Sequence, residues 1–600
     1  DEQILTMRTS GAGGRVDKFG VPSLPPSDFF EGPIVSKERK RTAAEKHEEL
    51  LAKAIEMTVS LNPLVGVSTE DLKTAVKKTV KQTAAQPSKV LRYSKRFAGK
   101  VTDILKGTDK YEGHKNDRRF ADPSWDENKL YHKLKQAYFA WEESLDELVD
   151  DLGLEGMEER RARFVKEMLI TSMAPTNFLL GNPKALRKAI ETRGSSLLKG
   201  LKNYAHDLKD NNGMPAQVDK SQFRVGGNLA TTEGVVVFRN EILELIQYKP
   251  RTARVFGRPL LIIPPQINKF YIYDLNEEKS FFRFCLDQGF QVFAISWRNP
   301  SEEQAHWGMS QYIEAAIEAV DAILAITRSQ SLNVVGACAG GITASILSSY
   351  LKQAGRDLVH SLSLSVCMLS MNSREMELGV FTTPASLQAA RLKSRERGVL
   401  EGAELGRVFS WMRPNDLVWN YHINNYLMGE APPAFDILFW NSDSTNLPAE
   451  LHCDFLDIYE HNTLEAGEMK INGVTIDLAA LDCDKYVTAG LSDHITPWKV
   501  CYKTTRIVGG NIKFVLSSSG HIQSLVNPPT NTRARYFSNE SLPDNADEWL
   551  EGAEQFAGSW WTDWSDWLQA RSGVRKTAPK VLGSKHFKPM EDAPGTYVFG

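Results

Sequence analysis

Cys338 lies in Gly336-Ala337-Cys338-Ala339-Gly340, a G-x-S-x-G pattern in which sulfur replaces oxygen. The pattern marks a sharp strand-to-helix turn whose glycines let the central side chain stand exposed above a sheet as a nucleophile. A thiol at that point leads away from simple hydrolysis. A free cysteine is also a small hydrophobe that packs in cores, so its partners must decide between the two readings. A nucleophile of this kind needs a base, and the base an orienting acid, in the chain order nucleophile, acid, histidine. Asp493, just past the strand-like run Tyr486-Val487-Thr488-Ala489, and His521, just past Phe514-Val515-Leu516, supply that order. Asp493 has a second reading as the cap of a following helix, with Pro497 at an early helical position. His494 competes for the role of base. His521 is preferred because it follows the last strand and because an aspartate rarely orients its immediate neighbour; His494 then shapes the pocket or bonds a nearby carboxylate.

An acyl-transfer site also needs two donors for a developing oxyanion. The amide of Ala339 is one, and the amide of Ile267, in Pro264-Pro265-Gln266-Ile267-Asn268, is the expected second. The double proline reads alternatively as a rigid turn without chemistry. Asn268 and Arg298, in Trp297-Arg298-Asn299-Pro300, border the same edge as secondary pocket residues, Arg298 meeting either a phosphate or an acidic partner. The six cysteines are far apart, with neither a C-x-x-C pair nor metal-ligand spacing, and are expected to be reduced thiols; no metal site is expected.

The elements around these residues set the fold class. Ser331–Val335 reads as a buried strand and Ile342–Leu351 as a helix, as the turn at Cys338 requires. Short β-branched runs at 234–238, 259–263, 290–295, 332–335, 360–368, 485–489 and 512–516 alternate with helical stretches. That alternation predicts a mainly parallel sheet covered by helices, and with the motif it predicts an α/β-hydrolase fold. One connection is too long for a crossover, so residues from about 369 to 484 are expected to form an inserted cap. The cap is dense in large apolar side chains, among them Phe409, Trp411, Trp419, Tyr421, Phe435 and Trp440, which suit its own core, a lid over an acyl tunnel or a dimer face. Near the carboxyl end Phe556, Trp560, Trp564 and Trp567 have helical spacing and read as core. The catalytic domain is thus expected over 221–600, after an all-helical domain over 41–220 and a flexible, Pro- and Gly-rich arm over 1–40. Lys95–Lys100 and Arg118-Arg119 are basic, which usually means a solvated face.

Composition narrows the function. With 600 residues, 42% hydrophobic residues and a net charge of -3, the chain can bury a large core and carries no nucleic-acid footprint. No segment has the roughly 18 apolar residues of a membrane helix, and the amino end lacks the blocks of a signal peptide, so a cytoplasmic protein is expected.

Several motifs together resemble the polyhydroxyalkanoate synthases. They are Asp117–Trp125, Phe223–Ala230, Pro264–Leu275, Ser296–Pro300, Gly336–Gly341, Trp411–Asp416, Ala489–Trp498 and Ser517–Ser524. Pro265–Phe270 and Phe435–Asn441 are similar to the single-subunit class II members, which prefer medium-chain monomers, although Ala339 stands where many of them carry serine. The resemblance implies that Cys338 accepts the acyl group of an (R)-3-hydroxyacyl-coenzyme A, releases coenzyme A, and holds the growing polyester as a thioester. Coenzyme A is then a leaving group, and no cofactor is implied. It implies for His521 the role of base and for Asp493 either its orientation or activation of the substrate hydroxyl. It also implies association with polyester granules and granule-associated proteins, and a homodimer. A thioesterase or depolymerase on the same fold, and a non-catalytic granule-surface protein, are the competing readings.

Overall fold

The computed structural model describes residues 86–108, 117–371, 384–406 and 414–600. The expected arm over 1–40, the start of the helical region and the cap residues Phe409 and Trp411 lie outside the described residues. The described residues belong to one compact unit.

The chain enters through amphipathic helices: α1 (Pro87–Lys106), α2 (Lys129–Asp151), α3 (Met157–Ser172), α4 (Pro183–Glu191) and α5 (Ser195–Asp210). Their starts follow capping chemistry: Asn128 accepts from the amides of Leu130 and Tyr131, and Asn182 from Ala185 ahead of Pro183. A small core of Phe120, Trp125, Tyr138, Phe139, Ile170 and Ala174 joins them. The basic run on α1 faces acids on α2, through Arg96–Glu147 at 2.7 Å and Lys100–Glu143 at 2.5 Å.

The sheet has ten strands: β1 (Gly234–Arg239), β2 (Leu243–Tyr248), β3 (Leu260–Ile263), β4 (Val292–Trp297), β5 (Leu332–Ala337), β6 (Val359–Ser365), β7 (Asp484–Gly490), β8 (Ile512–Ser517), β9 (Arg535–Ser538) and β10 (Glu554–Ala557). Their spatial order is β1-β2-β4-β3-β5-β6-β7-β8-β9-β10. The block from β4 to β8 is parallel, and the edges are antiparallel. Every residue of β3, β4 and β5 is buried, as central parallel strands covered on both faces require. Helices α6 (Met309–Thr327) and α7 (Ala339–Gln353) pack into one apolar layer with these strands.

Two parts of the sheet escape a reading by apolar runs. In β2, Glu244 and Gln247 interrupt the pattern, yet both are buried. Glu244 is satisfied there by the Arg239 guanidinium and by the backbone and hydroxyl of Thr596. Phe556, assigned by spacing to a helical stripe, sits instead on strand β10, opposite Tyr536. Gly558 at φ 100° and the Ser559 cap separate β10 from α12 (Trp560–Gln569), so the helix begins only after Phe556. Trp560, Trp561 and Trp564 on that helix are buried, as a core stripe predicts.

Between β6 and β7 lie α8 (Pro384–Arg397), α9 (Asp436–Ser442) and α10 (Ala449–His461), with a stretch of π-helix over 415–427. Helix α5 rests on this stretch. A Cβ at Gly200 would fall 1.9 Å from the carbonyl oxygen of Tyr426, and Asn203 donates to the carbonyls of Asn425 and Glu430.

Candidate active site

The turn at Cys338 takes the geometry its glycines imply. Strand β5 ends at Ala337, helix α7 starts at Ala339, and Cys338 between them adopts φ 50° and ψ -125°. A non-glycine residue in that region costs about 1–3 kcal/mol, held here by the packed strand and helix on either side. Its amide donates to Ser365 on β6 at 3.0 Å. Gly340 is required by close approach, because a Cβ there would lie 2.4 Å from the carbonyl oxygen of Ile263. The loop after β3 therefore runs directly over the start of α7. Gln266 in that loop donates to Thr343 on α7 at 2.7 Å, and the indole of Trp297 donates to Pro264 at 2.8 Å.

The two expected oxyanion donors lie on the segments that this contact joins. Ala339 is the first residue of α7, so its amide has no acceptor within the helix. Ile267 follows Gln266 in the crossing loop, and its carbonyl is held by the amide of Thr445 from the cap at 3.1 Å. Asn268 forms an isolated β-bridge with Ser444. The cap fixes the loop further through the indole of Trp440 on Lys269 (2.7 Å) and the hydroxyl of Tyr271 on Asp443 (2.6 Å).

Asp493 and His521 meet as a buried pair, His521 Nδ1 lying 2.7 Å from Asp493 Oδ2. The loops that carry them are stitched together: the amide of Leu491 donates to Ser517 at 2.8 Å and that of Ser492 to Ser519 at 3.2 Å. Gly490 permits it, since a Cβ there would lie 2.7 Å from Ser519 oxygen. The two readings of Asp493 are both realised, one on each oxygen. Oδ1 accepts from the amides of Ile495 and Thr496, each at 2.9 Å, which is the turn-capping role. Oδ2 accepts from His521 and from the Thr496 hydroxyl at 2.7 Å. A carboxylate can only accept, so His521 carries its proton on Nδ1 and leaves Nε2 for other work.

Electrostatics couple the three residues. Burial lowers the pKa of His521, but the charge and hydrogen bond of Asp493, with a smaller share from a hydrogen bond to the Cys338 side chain, outweigh it and raise the value from 6.5 to about 10. Burial would raise Asp493, yet the facing imidazolium and the Thr496 hydrogen bonds hold it below 3.8. Cys338 is half-buried, whereas Cys285, Cys367 and Cys501 are fully buried and burial pushes their thiols up. Among the free thiols, Cys338 is the one whose side chain contributes to raising His521.

Residues 116–285 match the family described as the poly-beta-hydroxybutyrate polymerase (PhaC) N-terminus, and residues 259–528 match the alpha/beta hydrolase fold. The chain is 45% identical to poly(3-hydroxyalkanoate) polymerase 1 of Ectopseudomonas oleovorans over 92% of its own length and 99% of that protein. It is 39% identical to the polymerase subunit PhaC of Cupriavidus necator, over 84% of this chain and 87% of that one. This chain belongs to the poly(3-hydroxyalkanoate) polymerase family. It is an acyltransferase on an α/β-hydrolase fold.

The remaining expected site residues of the polymerase are His494 and Arg298. His494 is half-buried beside Asp493, whose carboxylate faces His521 instead. Arg298 stacks over the ring of Tyr597, 5.8 Å from its centroid, and its amide donates to Ile242. Among the described residues no group of three or more His, Cys, Asp or Glu is arranged to hold a metal, and no helix is long and apolar enough to cross a membrane.

Four further residues support the site. Thr496 follows Asp493 at the spacing of a side-chain turn, a signal that was there to read. Gln266 shares its amide with α7 only because the chain folds back. The tryptophans of α12 pack as core and also hydrogen-bond, the indoles of Trp560 and Trp561 donating to the carbonyls of Ser524 and Leu525 at 2.8 and 3.2 Å. These bonds close the end of α11 (His521–Leu525), the short helix that carries the histidine.

Proposed function

We propose that this polymerase builds poly(3-hydroxyalkanoate) from (R)-3-hydroxyacyl-coenzyme A through a thioester on Cys338. The observation that carries the reading is the buried Asp493–His521 pair at 2.7 Å with the Cys338 side chain against the same imidazole. His521 holds the thiol proton and so stabilises the thiolate of Cys338. The thiolate adds to the thioester carbonyl, and the oxyanion is met by the amides of Ala339 and Ile267. Collapse expels coenzyme A, whose thiolate takes the proton from His521. The 3-hydroxyl of a bound unit then attacks the thioester carbon, giving its proton to the base, and one ester bond forms as one thioester bond breaks. Asp493 orients His521 throughout, because its two oxygens are fully engaged with His521, Thr496 and the adjacent amides.

Sulfur suits this cycle because exchange between thioesters is nearly even in energy, whereas an ester on serine would be a resting place for the chain. The same reading gives the cap over 369–484 its task of keeping water from the thioester and contributing a dimer face. Its grip on the loop at Ile267, through Thr445, Trp440 and Asp443, supports the first part. Medium-chain monomers are the proposed substrates, on the class II character of Pro265–Phe270 and Phe435–Asn441. No cofactor is used, and the enzyme works in the cytoplasm as a homodimer at the surface of polyester granules, alongside granule-associated proteins.

The test is to incubate the full chain with (R)-3-hydroxyacyl-coenzyme A of several lengths and follow thiol release and polymer. Release with polymer, greatest for medium chains and absent in Cys338→Ala, is expected. Free hydroxy acid without polymer would make the protein a hydrolase, and no release at all would leave it a scaffold.

A further inference from the structure

Tyr273 is a buried phenol whose hydroxyl has no hydrogen-bond partner in the protein. It ends the short 3-10 turn Phe270–Tyr273, in the loop that crosses the Cys338 turn. Its ring stacks on Phe282 with centroids 5.9 Å apart and lies 5.8 Å from that of Phe281. It belongs to the apolar cluster against which Cys338 packs, together with Ala337, Val366 and Leu525. Burial, with smaller contributions from Cys338, Cys367 and Cys285, raises the phenol's pKa, so the group stays the neutral hydroxyl.

A hydroxyl in such surroundings is unfavourable. Leaving a buried donor without an acceptor costs stability that phenylalanine would not, and every other atom of the ring is served by apolar packing. A group of this kind beside the nucleophile fits a ligand that completes its hydrogen bond. Phenol is both donor and acceptor, which matches an alcohol. The acyl group proposed to sit on Cys338 carries one, on the third carbon, four covalent bonds from the sulfur. The thioester carbonyl is served by the amides of Ala339 and Ile267, so the alcohol is the polar atom still without a partner.

We propose that the Tyr273 hydroxyl hydrogen-bonds the 3-hydroxyl of the acyl unit at Cys338 and selects 3-hydroxyacyl over plain acyl thioesters. The inference rests on the acyl-transfer reading given above. A site built around a hydroxyl rejects an analogue lacking it, because its own polar group is then left unpaired.

Thiol release in a single turnover of the full-length enzyme tests this with matched substrates, an (R)-3-hydroxyacyl-coenzyme A and the saturated acyl-coenzyme A of equal length. The wild-type enzyme should acylate faster with the hydroxylated substrate. In Tyr273→Phe that preference should shrink about tenfold through a slower reaction of the hydroxylated substrate, with the saturated one unchanged. The melting temperature of the free variant should be equal or higher, a readout that separates recognition from damage to the fold. A preference kept by Tyr273→Phe, or an equal loss with both substrates, would overturn the inference while leaving the acyl-transfer reading in place. Absence of thiol release from the wild-type enzyme with either substrate would overturn both.

Discussion

Replacing Asp493 by asparagine tests the coupling of the site most directly. The carboxylate accepts four hydrogen bonds, two amides on Oδ1 and the Thr496 hydroxyl and His521 on Oδ2. Asparagine keeps one acceptor, and the two amides claim it because an NH2 group there would face two donors. The new NH2 then points at His521 Nδ1, which must become an acceptor, so the imidazole proton moves to Nε2 and the ring loses its means of taking the thiol proton. The charge is lost as well. His521 stands at about 10 instead of 6.5, mainly through Asp493 and against its own burial. That gap is roughly 10³ in proton affinity, on the order of 4 to 5 kcal/mol in favour of the imidazolium. Without the carboxylate, burial, the largest influence, is opposed only by the smaller contribution of Cys338, and the histidine should be neutral at pH 7. The thiolate of Cys338 and the first-turnover release of coenzyme A should each fall roughly 10³-fold or more, in the range seen when an orienting aspartate is lost from a comparable triad. Alkylation of Cys338 by iodoacetamide, followed by mass spectrometry from pH 6 to 10, reads the thiolate without any substrate. Cys285, Cys367, Cys453 and Cys501 are buried and should stay unlabelled, and Cys483, half-buried like Cys338, is told apart by the mass of its own peptide. An Asp493→Asn enzyme that alkylates at the wild-type rate, with the wild-type pH dependence, would refute the coupling.

Three further outcomes are expected. Because the His521 pKa is raised from 6.5 to about 10, the stability it gains from Asp493 is complete below about 6.5 and lost as pH rises through about 10. The depressed Asp493 contributes stability above 3.8 that disappears as pH falls through its lowered value; urea unfolding of wild type and Asp493→Asn should therefore differ most between about pH 3.8 and 6.5, with a difference that shrinks as pH rises through about 10 or falls below 3.8. Gly340→Ala would drive a Cβ to 2.4 Å from the Ile263 carbonyl, displacing the loop that carries Ile267; coenzyme A release should drop at least tenfold, and near-normal kcat would show that the loop position is unimportant. Trp560→Phe removes the indole bond to Ser524 at the end of α11, which should cost about 1 kcal/mol in unfolding and lower kcat without changing KM; unchanged kcat would make the tryptophan a packing residue alone.

Cys338, Asp493 and His521 were legible in the sequence as a candidate set because each is tied to a local device. Cys338 comes with its glycines, and Asp493 and His521 come at the ends of apolar runs that can only be buried parallel strands. Periodicity likewise revealed the central strands, since a strand covered on both faces is apolar along most of its length. It failed where burial is secured by distant partners. Strand β2 carries a buried Glu244 because Arg239 and Thr596 neutralise it, and no window around residue 244 contains Thr596. Phe556 obeys a helical spacing that the turn at Gly558 cancels.

The sequence thus determined which groups are available for chemistry and the order in which the fold must bring them. Tertiary structure alone decided their state. The 2.7 Å approach of Asp493 to His521, the raised imidazole, the cap's hold on the Ile267 loop and the unpaired Tyr273 hydroxyl each depend on residues far apart in the chain. Local propensity sees only neighbours a few residues away, whereas desolvation and close charge pairing arise from the packing of the whole molecule.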